Sequence, residues 1–262
     1  MINPLSINPK TETEKIVNFL KSIHKKTGID KVVIGLSGGI DSTTVYYLLK
    51  KVYKLENIIG VSLPYASIKP IINEFEKKIW KAKIPFKSSL QFKGSMSKFF
   101  DGKPQTAKNL TSSPYLNNIR LGNIMARTRM IILFDLAKKY GALVCGTENK
   151  SEKLLGYFTR FGDAASDVEP ISHLYKTQIY QLAKYLKVPE NIIKQSPTAG
   201  LWDGQTDEGE FGFTYEEADQ VLYLTYDRGQ DINIVKKNFP NAEKIFKRFL
   251  DNQFKLKTSY SL

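Results

Sequence analysis

Residues 35–42 read Gly-Leu-Ser-Gly-Gly-Ile-Asp-Ser, lying between an apolar run at 31–34 and an apolar, helix-forming run at 43–50. A strand that ends in Ser-Gly-Gly and turns at once into a helix exposes backbone N–H groups where the helix dipole adds positive potential. That is an anion site. Gly38 and Gly39 let the main chain approach a phosphate without a Cβ clash, and Ser37 and Ser42 add hydroxyl donors. Asp41 is out of place against an anion unless a cation bridges the two, and magnesium held by a carboxylate and a pyrophosphate resolves the contradiction. No Gly-Lys-Ser or Gly-Lys-Thr follows the glycines, so the loop is not a Walker A sequence.

Further constellations lie downstream. Arg120, Asn123 and Arg127 are spaced to share one face of a helix whose other positions include Ile124, Met125, Ile132 and Leu133. Two guanidiniums on that stripe suit anionic ligand groups. Thr147 follows the apolar run at 142–145, which places it at the C-terminal end of a strand. Arg160, Asp163 and Asp167 stand among small residues, where backbone can approach a ligand. Lys176 precedes Thr177, read as the N-cap of a helix carrying Ile179, Leu182, Ala183 and Leu186.

The elements needed to position these groups alternate. Helical spacing over 11–26 and strand runs at 31–36 and 57–63 frame the loop, whose helix begins near 41. A helix at 69–82, a short strand at 84–90, a helix at 113–140 and a strand at 142–146 follow. Such alternation predicts parallel βαβ units: an α/β, doubly wound, mainly parallel sheet with flanking helices and its ligand crevice at the strands' C-terminal ends. Residues 91–112 read as a connection with one short helix, 196–212 as a long mobile loop with a lid at 200–212, and 214 onward as a basic, helical C-terminal part. One domain over 1–262 is expected.

Composition limits the classes. With 262 residues, 42% of them hydrophobic, the chain can bury a substantial core. No run is apolar for long enough to span a membrane, and the first residues lack a signal-peptide core, so a cytoplasmic protein is expected. The single Cys145 reads as strand core, and two histidines exclude a His-rich metal site. The net charge of +13 keeps nucleic acid among the candidate partners.

The string Ser37–Ser42 resembles the PP-loop of the ATP-pyrophosphatases, which include GMP, asparagine, tRNA lysidine and NAD synthetases. Four more strings, 122–130, 146–152, 156–178 and 197–208, resemble the ammonia-dependent NAD synthetase family in order and spacing. The resemblance implies the adenine nucleotide alpha hydrolase-like fold and a two-step reaction: the nicotinate carboxylate of deamido-NAD attacks the α-phosphorus of ATP, and ammonia then displaces AMP. It assigns ATP to Gly35, Leu36, Ser37, Gly38, Gly39, Ile40, Asp41, Ser42, Thr147, Lys176 and Thr198. It assigns deamido-NAD to Arg127, Arg160, Asp167, Phe254 and Lys255, and Mg²⁺ to Asp41 and Glu152. Three positions depart from the family pattern: Arg160 where a lysine is common, Ala164 where a glycine is, and Phe254 where a histidine is. No protein nucleophile is expected; Lys176 stabilises charge. The resemblance also implies a homodimer. Absence of an amidase-like cysteine points to free ammonia as nitrogen donor. The alternative is an RNA-modifying PP-loop enzyme of the tRNA lysidine synthetase type, which the basic charge suits but which four matching strings oppose. A catalytically silent nucleotide-binding scaffold is opposed by the intact Asp41 and Glu152.

Overall fold

Val32, Val33 and Ile34 are apolar on both faces of the chain, the pattern of a strand covered on two sides. In the computed structural model, which describes residues 4–63, 80–81, 114–198 and 204–257, they form β1 (Val32–Gly35) and are essentially inaccessible to solvent. Parallel partners flank it on both sides: β2 (Ile58–Ser62) pairs Val32 with Ile58, and β4 (Leu143–Cys145) pairs Val32 with Leu143. Beyond β2 lies β3 (Trp80–Lys81), giving the order β3-β2-β1-β4. The crossovers leaving β1 and entering β4 run to opposite sides, so the switch point of this doubly wound sheet lies between the C-terminal ends of β1 and β4.

Helices cover both faces. On one, α1 (Pro9–Thr27) brings Ile16 and Leu20, α2 (Ile40–Leu49) brings Val45, Leu48 and Leu49, and α5 (Lys176–Tyr185) brings Ile179 and Leu182, all against Val32 and Ile34. The long α3 (Pro114–Tyr140) covers the other, where Leu136 and Ala137 meet Val33, Val61 and Val144. Helix α1 starts where the Asn8 side chain accepts from the amides of Lys10 and Thr11. Cys145 is buried in β4, as its apolar surroundings predict.

A second core holds the C-terminal helices to the sheet domain. Phe211, Tyr215, Val221, Leu222, Ile245 and Phe249 pack with Leu154 and Leu155 of α4 (Lys150–Leu155) and with Tyr175. They come from α7 (Asp207–Phe211), α8 (Tyr215–Leu222) and α10 (Ala242–Asn252); a π turn (Tyr223–Asp227) and α9 (Ile232–Val235) connect the last two. The short α6 (Glu190–Ile193) follows α5. No helix among the described residues is long and apolar enough to cross a membrane.

Three expectations change, the first being that residues 207–211, expected within a long mobile loop, form α7 with Asp207 and Phe211 buried. Trp80 and Lys81, expected to end a helix, are a strand instead, because pairing with Val61 and Ser62 of β2 overrides their local helical spacing. The rest of that helix, the expected strand at 84–90 and the connection at 91–112 lie outside the described residues. Lys176 is itself the first residue of α5, with Tyr175 at the cap, so Thr177 is not the N-cap.

Helix α4 ends at Gly156, which takes φ +64°, and a Cβ there would overlap the Asn252 side chain on α10. Gly156→Ala therefore combines a left-handed strain with a clash between two helices, and it is expected to cost about 2–4 kcal/mol. Chemical denaturation checks this; an unchanged midpoint would contradict the packing described.

Candidate active site

The turns following β1 and β4 meet at the switch point. Leu36 continues β1 by donating to Val61 O, Gly38 takes φ +86°, and Gly39 begins α2 with no side chain capping its amides. Ser37 and Ser42 hydroxyls lie 3.1 Å apart, and the Ser37 oxygen accepts from the Gly39 amide at 3.2 Å, which fixes the loop. The open N-terminus of α2 faces a cavity of about 620 Å³, a size that suits a nucleotide.

Helix α4 brings in the second turn. Asn149 caps it: its side-chain oxygen accepts from Glu152 N at 3.0 Å, while a Glu152 oxygen accepts from Asn149 N at 3.3 Å. The same Asn149 donates through Nδ2 to Asp41 Oδ1 at 3.0 Å. Asn149 thereby orients both candidate metal carboxylates. Lys176 completes the group from the start of α5, its ammonium 2.6 Å from Asp41 Oδ2 and 3.2 Å from Glu152 Oε1.

Electrostatics in this group are unbalanced. Burial, then Asp41 and Asp207, push the Glu152 carboxyl up to about 8 against the pull of Lys176. Burial alone would lower the Lys176 ammonium, but Asp41 and Glu152 outweigh it and hold it above its ordinary value. Three acids thus surround one ammonium in a buried place, an excess of negative charge that a further cation relieves. Among the described residues no three His, Cys, Asp or Glu side chains form an all-protein metal cage. Magnesium needs none, since it takes one or two carboxylates and fills its shell with water and phosphate oxygens. The donor set fits that ion.

The cavity collects most of the ATP residues expected from the sequence and few of the dinucleotide ones. Gly35, Leu36, Ser37, Gly39, Ile40, Asp41, Ser42, Thr147, Glu152, Lys176, Thr198 and Lys255 line it. Gly38 does not; its role is the turn. Arg127, Arg160, Asp167 and Phe254 lie outside it. Exposed Arg127 donates through Nε to Arg160 O, and Arg160 reaches Lys257 O at 2.6 Å. Asp167 accepts from Val144 N at 2.8 Å, tying its loop to β4. Phe254 is exposed, and the Lys255 ammonium donates to the carbonyls of Gly156 and Phe158. Of the α3 stripe, Asn123 faces the cavity and accepts from the Thr159 hydroxyl at 2.7 Å, beside Asp163. Arg120 is exposed.

The expected lid at 200–212 falls partly on 200–203, outside the described residues. Its remainder places Gln205, Asp207 and Glu210 on the cavity wall and anchors Phe211 in the second core. Sequence reasoning gave no role to Asn149, Ser151, Asp207 or Asp219. The spacing of Asn149 and Glu152 is a capping box and was a readable signal; the others act through partners distant in sequence.

Glu148, between Thr147 and Asn149, is 8% exposed, and its Oε1 has no hydrogen-bond partner among the described residues. Burial, then Glu169 and Glu152, push its carboxyl up to about 9 from 4.5. A folded-state value raised this far means stability that is complete below about 4.5 and is lost as pH rises towards 9. Glu148→Gln in metal-free buffer is expected to match the parent near the lower pH and exceed it at pH 8 by about 1–3 kcal/mol. Melting curves across that range check it; parallel curves would contradict a buried neutral carboxyl.

A doubly wound parallel sheet with flanking helices and a glycine turn at its switch point defines a class, the PP-loop, adenine nucleotide alpha hydrolase-like α/β proteins. The model of one family, NAD synthase, matches residues 12–259, and the chain belongs to that family: it is an enzyme, a ligase of NAD biosynthesis. A curated relative, the NH(3)-dependent NAD(+) synthetase of Fusobacterium nucleatum, is 42% identical over 252 residues, which is 96% of this chain and 92% of the relative. Among solved structures, the NH3-dependent NAD synthetase of Campylobacter jejuni is 30% identical with a TM-score of 0.66, covering 98% of this chain and 100% of that one. The NMN synthetase of Francisella tularensis is 29% identical with a TM-score of 0.70, covering 98% and 99%.

Proposed function

We propose that this chain transfers AMP from ATP to the nicotinate carboxylate of deamido-NAD, releasing pyrophosphate, and that ammonia then displaces the AMP to give NAD. The observation that carries the reading is the convergence of the uncapped N-terminus of α2 with Asp41, Lys176 and Glu152 in one cavity at the switch point. Loop amides and the Ser37 and Ser42 hydroxyls bind the polyphosphate, and Thr147 and Thr198 line the same wall. Asp41 and Glu152 would hold Mg²⁺, whose positive charge draws electron density from the phosphate oxygens. Lys176, held by Asp41 and Glu152 on the wall of the same cavity, offers its ammonium to the charge that develops on phosphate, the kind of preorganised stabilisation on which adenylyl transfer depends. Gln205, Asp207 and Glu210, on the described part of the 200–212 segment, shield the adenylate from water. Cys145 takes no part: burial and then Glu169 push its thiol well up.

Exposed Arg127 and Phe254, outside the cavity, support a homodimer in which a second copy completes the dinucleotide site. A second reading deserves the same assay. Of the five residues assigned to the dinucleotide, one, Lys255, lines the cavity, and the similar Francisella protein is an NMN synthetase. Both favour the smaller, deamidated mononucleotide as substrate.

Product analysis with ATP, Mg²⁺ and either nicotinate nucleotide, with ammonium or glutamine as nitrogen source, tests both readings. AMP and pyrophosphate should form only with a nicotinate nucleotide present, and the amide only with ammonium. A larger kcat/KM for the mononucleotide would select the second reading, and release of ADP would end both.

A further inference from the structure

We infer that Asp219 is a positioning residue for the activation step, one that fixes Lys176 and Glu152 without touching the nucleotide; the inference rests on the proposed role of Lys176 at the ATP phosphates. Asp219 sits on α8 in the C-terminal helical part and is 0% exposed. Its two oxygens hold two different elements of the site. Oδ1 accepts from the Ser151 hydroxyl at 2.5 Å, and Oδ2 accepts from the Thr177 amide at 2.8 Å. The Ser151 oxygen in turn accepts from the Lys176 amide at 2.8 Å. One carboxylate therefore secures the first two amides of α5, directly and through Ser151, and also the residue next to Glu152 on α4.

The chemistry calls for a carboxylate at this position. The first amides of a helix have no partner within it, and negative charge there is favourable. Thr177 does not serve, for it lies inside the helix and its own amide is one of those that need a partner. Ser151 spends its single proton on Asp219 and its lone pairs on the Lys176 amide, so both Asp219 oxygens must be acceptors. An asparagine offers one acceptor and would turn an N–H₂ towards a donor at the other. Lys176 is the first residue of α5, so where its Cα stands, and hence where its ammonium can reach, depends on these bonds. The C-terminal helices thereby set the geometry of Lys176 and Glu152, which the sheet domain carries.

The test compares Asp219→Asn, Ser151→Ala and the double variant with the parent in the full chain. ATP affinity is read by calorimetry with Mg²⁺ present, turnover by amide formation, and folding by melting temperature. Each single variant is expected to lose about 10–100-fold in kcat, as partners behind a ligating shell typically do, with KM for ammonium little changed. ATP affinity should fall, and the double variant should be no worse than the poorer single one, because both break one chain of bonds. A purely structural residue would instead lower the melting temperature, leave kcat of the folded protein intact and give additive losses. A folded Asp219→Asn protein with parental kcat and ATP affinity would overturn the inference. Should Asp219→Asn not fold, Ser151→Ala, which removes a single hydroxyl, decides by the same readings. If the parent binds ATP but forms no amide, the proposed function fails, and the ATP affinities of parent and variant still decide the role of Asp219.

Discussion

Lys176→Met is expected to lose about 10²–10³ in turnover, the size of loss that follows removal of one preorganised charge-stabilising donor. Its effect on stability should be large as well. Lys176 is 2% exposed and bonds both Asp41 and Glu152, so methionine leaves two carboxylates with no ammonium between them. Breaking a buried ion pair from one side typically costs about 3–5 kcal/mol, because the remaining charge is uncompensated. In metal-free buffer the variant should therefore melt well below the parent. Added Mg²⁺ should recover much of the stability and little of the turnover, since it neutralises the carboxylates without replacing the ammonium. Melting curves with and without the metal, beside a turnover assay, check both parts. A variant that keeps its turnover would remove Lys176 from the mechanism.

Asp41→Asn is expected to reduce turnover by a similar factor, about 10²–10³, with a smaller loss of stability. The substitution keeps the shape of the side chain but removes one of three acids crowded around one ammonium. Glu152, pushed up to about 8 partly by Asp41, should then return towards the ordinary carboxylate range. The metal-free protein should lose some stability, because both Asp41 oxygens accept, from Lys176 and Asn149, but less than Lys176→Met loses, because Glu152 stays beside the ammonium; Mg²⁺ should recover little of it. Lys176→Met and Asp41→Asn therefore lose activity together and separate in how much stability Mg²⁺ restores. Thermal shift against metal concentration reads the difference; an Asp41→Asn protein that gains as much from Mg²⁺ as the parent would exclude Asp41 as a metal ligand.

The parts of this site that could be read from sequence are those whose meaning is local. Two glycines, two hydroxyls and an acid in one turn encode an anion site by their own backbone freedom and donors, and the structure puts that turn at the open end of α2. Apolar runs on both sides likewise announced the buried strands β1 and β4. Trp80 and Lys81 were misread because their strand exists through pairing with β2, while their immediate neighbours carry helical spacing. Asn149 reaches Asp41 across 108 residues, and Asp219 reaches Ser151 across 68; no local pattern encodes either contact. Thr177 looked like a helix cap because threonine often is one, yet the first amides of α5 are taken by Ser151 and Asp219. Arg127, Arg160 and Asp167 were grouped by resemblance, and in the single chain they bind main-chain groups outside the cavity rather than line it.

The most direct measurement concerns which atom attacks the nucleotide. With the nicotinate carboxylate labelled with ¹⁸O, attack on the α-phosphorus followed by displacement with ammonia leaves one labelled oxygen in the phosphate of AMP. Labelled AMP and unlabelled pyrophosphate are the predicted result. Label in pyrophosphate or in released phosphate, with AMP unlabelled, would mean that the carboxylate does not attack the α-phosphorus of ATP, and the account would be wrong.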